Sequence, residues 1–232
     1  LMALSKITNL SITDDAVRTV GIQDNNVTLA KLGDGTQGDI LYYGASGAPA
    51  RLGFGTSGDF LKTQGTGANP VWATAAGGIT HSSQWRLTTG AAGDLEPIAS
   101  NWEVNDTLGY SSLGADMTES SGIFTFPVTG YWLITFIINW YYNGDSRWME
   151  ADIRTTINDS SYGNMSEAYM WVSQMSGGVT YSQAVAQNTF DVTDTSQCKV
   201  QFRSRVDDNS VTTAGSDLMQ LTGVTFTRLA DT

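Results

Sequence analysis

Apolar and polar residues alternate with a period of two through much of the chain beyond residue 80, and the densest such stretch runs from Gly122 to Trp140. It reads as a short strand, a turn at Pro127 to Gly130 and a long second strand. Trp132, Ile134, Phe136, Ile138 and Trp140 share one face of that strand, and Tyr131, Leu133, Thr135 and Ile137 share the other. The first face is wholly apolar and the second mostly so. An antiparallel strand normally shows one face to water, so this strand requires two covers, its own core and something further. The expected second cover is a neighbouring subunit, with Tyr131, Leu133 and Ile137 as interface residues.

Further strands are predicted at about 84–89, 97–104, 147–158, 167–175, 179–187, 198–206 and 218–229, with no helical periodicity. Met149, Ala151, Ile153, Thr155 and Ile157 oppose Glu150, Asp152, Arg154 and Thr156, while Cys198, Val200, Phe202, Ser204 and Val206 oppose Lys199, Gln201, Arg203 and Arg205. Each pattern predicts a core face and a wet face. Eight or nine strands joined by turns such as Asn143-Gly144-Asp145 and Asp207-Asp208-Asn209 make an all-β antiparallel sandwich, of jelly-roll or immunoglobulin type. The second prefers a Cys-Trp-Cys core, which a chain with one cysteine lacks.

The texture before residue 80 differs. Residues 1–31 are polar with scattered aliphatics and cannot bury a core alone, so we expect an extended segment that anchors to partner chains. Then Leu32-Gly-Asp-Gly-Thr-Gln-Gly-Asp-Ile-Leu41 recurs twenty residues later as Leu52-Gly-Phe-Gly-Thr-Ser-Gly-Asp-Phe-Leu61. Thirteen of the 25 glycines precede His81, which predicts repeated tight turns with positive φ over 32–78. Three apolar anchors per copy are too few for a free-standing unit. The repeat is therefore expected to be an extended Gly-rich shaft whose anchors meet across several chains; a flexible linker would not need the repeated phrase. Residues 73–84, small and polar, mark the boundary before a C-terminal domain at 79–232.

Composition removes several functions. Twelve basic against 23 acidic residues give a net charge of −11, which argues against nucleic-acid binding. One cysteine, Cys198, and one histidine, His81, leave neither a disulfide framework nor a Cys/His zinc site. Cys198 is expected in the core and His81 exposed. No metal or cofactor is called for: the acidic turns at 143–145 and 207–209 suit ordinary turn chemistry. No apolar run is long enough to insert in a membrane, and the first residues lack a secretory leader's apolar core, so we expect cytoplasmic synthesis.

The phrase Gly122-Ile-Phe-Thr-Phe-Pro-Val-Thr-Gly-Tyr-Trp-Leu133 resembles the hairpin signature of the trimeric jelly-roll superfamily of complement globular heads and tumour necrosis factor, and Leu221-Thr-Gly-Val-Thr-Phe-Thr-Arg-Leu229 resembles its final strand. The resemblance implies a sheet packed around a threefold axis. The Gly-rich repeat resembles phrases in bacteriophage tail and head fibres, which implies a virion location. Together they imply a homotrimeric fibre, held to other virion proteins by its N-terminal segment and ending in a knob that adheres to a host glycan or protein.

Two alternatives use the same fold: a purely architectural capsid or tail protein, and a glycan-degrading enzyme using carboxylates such as Glu103, Glu150, Asp152 or Glu167. A wet strand face explains Glu150 and Asp152 equally well, and no enzyme is expected. Receptor contact is expected at the turn after Trp140, through Tyr142, Asn143, Asp145 and Arg147, where rings and hydroxyl-binding groups sit together.

Overall fold

The computed structural model describes residues 33–74, 78–107 and 109–232. The expected anchoring segment, 1–31, and the anchor Leu32 lie outside them. The chain divides into two units, Leu1–Ala76 and Gly77–Thr232. Among the described residues no helix is long and apolar enough to cross a membrane.

In the first unit each repeat copy folds as an antiparallel hairpin. Strands β1 (Ile40–Tyr43) and β2 (Pro49–Leu52) pair from Ile40↔Leu52 to Tyr43↔Pro49, and β3 (Asp59–Lys62) pairs with β4 (Val71–Thr74). The same turn precedes each hairpin. Gly38 and Gly58 both have φ +94, and the Asp39 and Asp59 amides donate to the carbonyls of Thr36 and Thr56 at 3.0 Å. The two aspartates also accept from the Thr36 and Thr56 amides at 2.8 Å. A residue without Cβ and an Asx-type side chain three positions from its donor explain the Thr-x-Gly-Asp phrase. The tight turns expected over 32–78 thus shape a run of two hairpins. The anchors Leu41, Phe60 and Leu61 remain exposed.

The second unit is a two-sheet antiparallel sandwich. In the first sheet β7 (Trp102–Val104), β5 (Ser82–Leu87), β16 (Gly223–Ala230), β10 (Gly130–Tyr142) and β13 (Thr180–Val192) are neighbours in that order. Short β6 (Ala91–Ala92) and β15 (Thr212–Thr213) extend it beside the end of β10. The second sheet runs β12 (Gly163–Val172), β11 (Ser146–Thr156), β14 (Lys199–Val206), β9 (Ile123–Thr125) and β8 (Thr118–Ser120). The chain crosses between sheets after β7, β9, β10, β12, β13 and β14, so strands distant in sequence become neighbours, the jelly-roll arrangement.

Between the sheets Trp132, Ile134, Phe136, Ile138 and Trp140 are fully buried, as their alternation predicts. They meet Val200 and Phe202 of β14, and Phe136 lies 4.8 Å from Phe202. Phe124 makes T-shaped contacts with Trp85, Trp102 and Phe202 at centroid distances of 5.3–5.4 Å, the favoured aromatic geometry. Burying each such side chain contributes roughly 1.5–3 kcal/mol. Ser204, the polar member of the core face of β14, accepts the Trp140 indole N–H at 2.8 Å. Cys198 is buried, as expected.

The glycines of the hairpin signature are sterically required. Gly122 has φ +82 and Gly130 φ +139, and a methyl group on either would lie 2.5 Å from a carbonyl oxygen, of Ile98 or Ala230.

Several expectations need correction. The strand expected at 97–104 begins at Trp102, and that at 218–229 begins at Gly223. Ile157, placed on a core face, is exposed beyond the end of β11. His81 is half-buried, its ring 5.9 Å from that of Trp132. Most consequential, the supposed wet face of β11 is closed: Glu150 is 4% exposed, Asp152 0% and Thr156 2%. Gln201 on β14 is buried too. Across the rungs Glu150 lies between Tyr169 and Arg205, and Asp152 between Glu167 and Arg203, so longer neighbours roof the shorter acids.

Candidate functional site

Three surfaces carry chemistry, and the first is the face of β10 and β13 turned from the core. Thirteen residue pairs run from Gly130↔Val192 to Tyr142↔Thr180. On the outward face Tyr141 pairs with Tyr181, Asn139 with Gln183, Ile137 with Val185, Thr135 with Gln187, Leu133 with Thr189 and Tyr131 with Asp191. The tyrosine rings stand 5.8 Å apart. Gln183 donates to Asn139 Oδ1 at 3.2 Å and Gln187 to Thr135 Oγ1 at 2.9 Å. From Tyr141 to Thr135 apolar rungs therefore alternate with hydrogen-bonded polar ones, and the last two rungs each pair an apolar or aromatic residue with a polar one. Tyr131, Leu133 and Ile137 are on this face as expected, and Tyr141, Tyr181 and Val185 extend it. The last two lie in Val179-Thr-Tyr-Ser-Gln-Ala-Val-Ala-Gln187, whose mixture of small, polar and apolar residues marks neither face clearly as core.

In a chain of charge −11, Asp191 is the sole acidic or basic residue of these two strands. Its Oδ1 is buried without a hydrogen-bond partner among the described residues. Tyr181 is 72% and Val185 51% exposed. Neighbouring β5 is covered instead: the Gln84 amide donates to Tyr110 Oη at 2.7 Å, and Ser82 bridges to Leu113. Arg86, on the same side, is buried in ion pairs with Glu103 and Asp106 at 2.9 and 2.7 Å.

The second surface is the loop end where the residues expected to contact a receptor lie. Tyr142 donates its hydroxyl to Asp208 at 2.7 Å, and Arg147 grips both Asp207 oxygens at 2.8 and 2.9 Å. Asn143 Oδ1 and Asp145 Oδ1 accept from the side chain and backbone of Gln174 at 3.0 and 2.7 Å. Each of the four thus ties the β10–β11 turn to the 173–179 turn or the 207–211 loop. Asn143, Asp145 and Arg147 are exposed. Arg147 holds the Asp207 carboxyl below the usual range, and the Ser210 amide, followed by Tyr142, does the same for Asp208.

The third surface, which the sequence reading took for a solvated strand face, is a charge cluster on the outer face of the second sheet. Arg203 pairs with Asp152 and lies 3.5 Å from Glu150; Arg205 reaches Glu150 at 3.1 Å. Glu96 meets both guanidiniums at 3.2 Å. Glu167 accepts from Asn164 at 2.6 Å and from the Tyr169 hydroxyl at 3.1 Å. Burial, then the adjacent Asp152, pushes the Glu150 carboxyl up to about 7 against the pull of Arg205 and Arg203.

No protein-family model matches the chain, and no curated protein matches it in sequence. Solved structures with a similar fold include Eiger TNF from S. frugiperda, at 13% identity and TM-score 0.49, covering 67% of this chain and 96% of that one. Murine APRIL at pH 8.5 is similar at 9% identity and TM-score 0.45, and at pH 5.0 at 11% and 0.45; each covers 64% of this chain and 98% of its own. The jelly-roll assignment rests on strand order and register within this chain.

Proposed function

We propose that the chain is a homotrimeric virion fibre protein whose C-terminal jelly roll is an adhesive knob. The observation that carries this reading is the outward face of β10 and β13, nearly free of charge, banded with apolar side chains and left exposed at Tyr131, Tyr181 and Val185 by the described residues. Exposed faces of that kind are interaction surfaces, and a second copy offers identical bands, so closed symmetry satisfies every chain at once. The resemblance of the hairpin signature to trimeric jelly rolls supports three copies around one axis. The exposed anchors of the repeat hairpins would meet their equivalents in the same trimer, and residues 1–31 would dock to other virion proteins.

Adhesion to a host glycan or protein is assigned to the loop end around Tyr142, Asn143, Asp145 and Arg147. A purely architectural knob is the second reading, favoured by one observation: all four side chains are already engaged with Gln174, Asp207 or Asp208. Neither reading involves catalysis.

Light scattering of the full chain at micromolar concentration tests assembly. Three times the 24.9 kDa chain mass is expected, and a monomer overturns the proposal. Binding of the purified trimer to candidate bacterial cells then separates adhesion from architecture.

A further inference from the structure

The cluster on the outer face of the second sheet is not used by either reading above. Four carboxylates, Glu96, Glu150, Asp152 and Glu167, surround two guanidiniums, Arg203 and Arg205, an excess of two negative charges; Arg154, also on this face of β11, donates instead to the Tyr162 carbonyl at 2.9 Å. Two of the acids are almost fully buried and adjacent, where an uncompensated carboxylate is costly. Oxygens of Glu150, Asp152 and Glu167 all lie within 4.8 Å of one another. Asp152 is wholly excluded from solvent; its Oδ2 is taken by Arg203, and its Oδ1 has no hydrogen-bond partner among the described residues.

We propose that Glu150, Asp152 and Glu167 form a site for a divalent hard cation of the calcium type. Calcium binds oxygens at about 2.3–2.6 Å, so oxygens sharing one ion stand up to roughly 5 Å apart, the spread of this trio. Asp152 Oδ1 supplies the buried ligand, and the ion cancels the excess of two charges. Glu167, exposed, supplies the open side by which the ion enters and water completes its shell. Arg203, Asn164 and Tyr169 hold the carboxylates from behind, as outer partners of metal ligands do. The donors are all oxygen, which favours calcium or magnesium over zinc or copper. The small octahedral magnesium ion fits this loosely spaced trio less well.

The test uses the full chain, stripped with EDTA and held near pH 7.5. Calcium chloride is titrated by calorimetry, and terbium is followed by luminescence excited through aromatic side chains, since Tyr169 touches Glu167. One ion per chain is expected, with a dissociation constant of about 1 mM or tighter, and calcium should displace terbium. Asp152→Asn and Glu167→Gln should each weaken binding about tenfold or more. Should Asp152→Asn fail to fold, Glu167→Gln, altered on the exposed rim, still decides. Absence of calcium heat and terbium signal from folded protein overturns the proposal and leaves a shared proton between Glu150 and Asp152. Binding undiminished in the folded variants overturns it equally.

Discussion

Ile137 on β10 and Val185 on β13 stand directly opposite each other and point away from the core, forming the middle apolar rung of a face with almost no charge. Their neighbours on either side are amide and hydroxyl pairs. Ile137→Asp and Val185→Asp would each bury a carboxylate per subunit around the axis, without partners. Both variants are expected to stay folded by circular dichroism and to scatter as monomers; a trimer in either case places the interface elsewhere.

Phe136 is the control from the opposite face. It is fully buried against Phe202, so Phe136→Ala should destabilise the knob by roughly 3–5 kcal/mol through lost packing and the cavity left behind. Chemical denaturation at fixed protein concentration measures it, and a loss under about 1 kcal/mol would show that the core collapses around the gap.

The two units should differ in autonomy. A fragment beginning at Ile79 retains every strand of the sandwich and is expected to fold and trimerise. Residues 1–78 alone should not melt cooperatively, because their glycines raise the ordering cost while Leu41, Phe60 and Leu61 stay exposed in one chain. Circular dichroism of both fragments decides, and a cooperative transition in the shorter one contradicts the shared-anchor reading.

Acid should loosen the loop end before the core. Asp207 and Asp208 are both held below the usual carboxylate range. A depressed carboxylate contributes stability above its unfolded pKa, about 3.9, and loses it as pH falls through the lower folded value. Hydrogen-exchange protection at Val211, whose amide bonds the Asp208 carbonyl, should therefore fall below about pH 4 while β10 amides remain protected. Simultaneous loss along β10 would contradict this.

Adhesion is tested by Asn143→Ala combined with Asp145→Ala. The variant removes exposed bonds to Gln174, each worth roughly 0.5–1.5 kcal/mol at most, so melting should shift by only a few degrees. Cell binding should weaken. Gln174→Ala distinguishes the roles: it frees the Asn143 acceptor while leaving both candidate contacts in place. Full binding by the double variant moves the receptor surface away from this loop.

The central strand was legible because β10 is long enough for its period to show, and its core face matches residue for residue. Strands β6, β8 and β15, of two or three residues, are too short to show a period. The closed face of β11 was illegible for another reason. Alternation tells which side a residue takes but not its neighbour across the ladder, and Glu150 meets Arg205 only through pairing of strands far apart in sequence. A row of acids facing a row of arginines looks, in either strand alone, like solvated surface. Likewise the sequence placed Tyr142, Asn143, Asp145 and Arg147 in one turn, while their partners Gln174, Asp207 and Asp208 come from other loops.

The turn shared by the two repeat copies has a further consequence. Glycine conformation, aspartate acceptor and threonine donor all lie within four residues, so each copy encodes its own bend without help from the rest of the chain. A gene can then duplicate or delete twenty codons and add or remove one whole hairpin without disturbing the bends on either side. The number of hairpins becomes a heritable variable that changes in whole steps, separate from the sequence of the sandwich that follows.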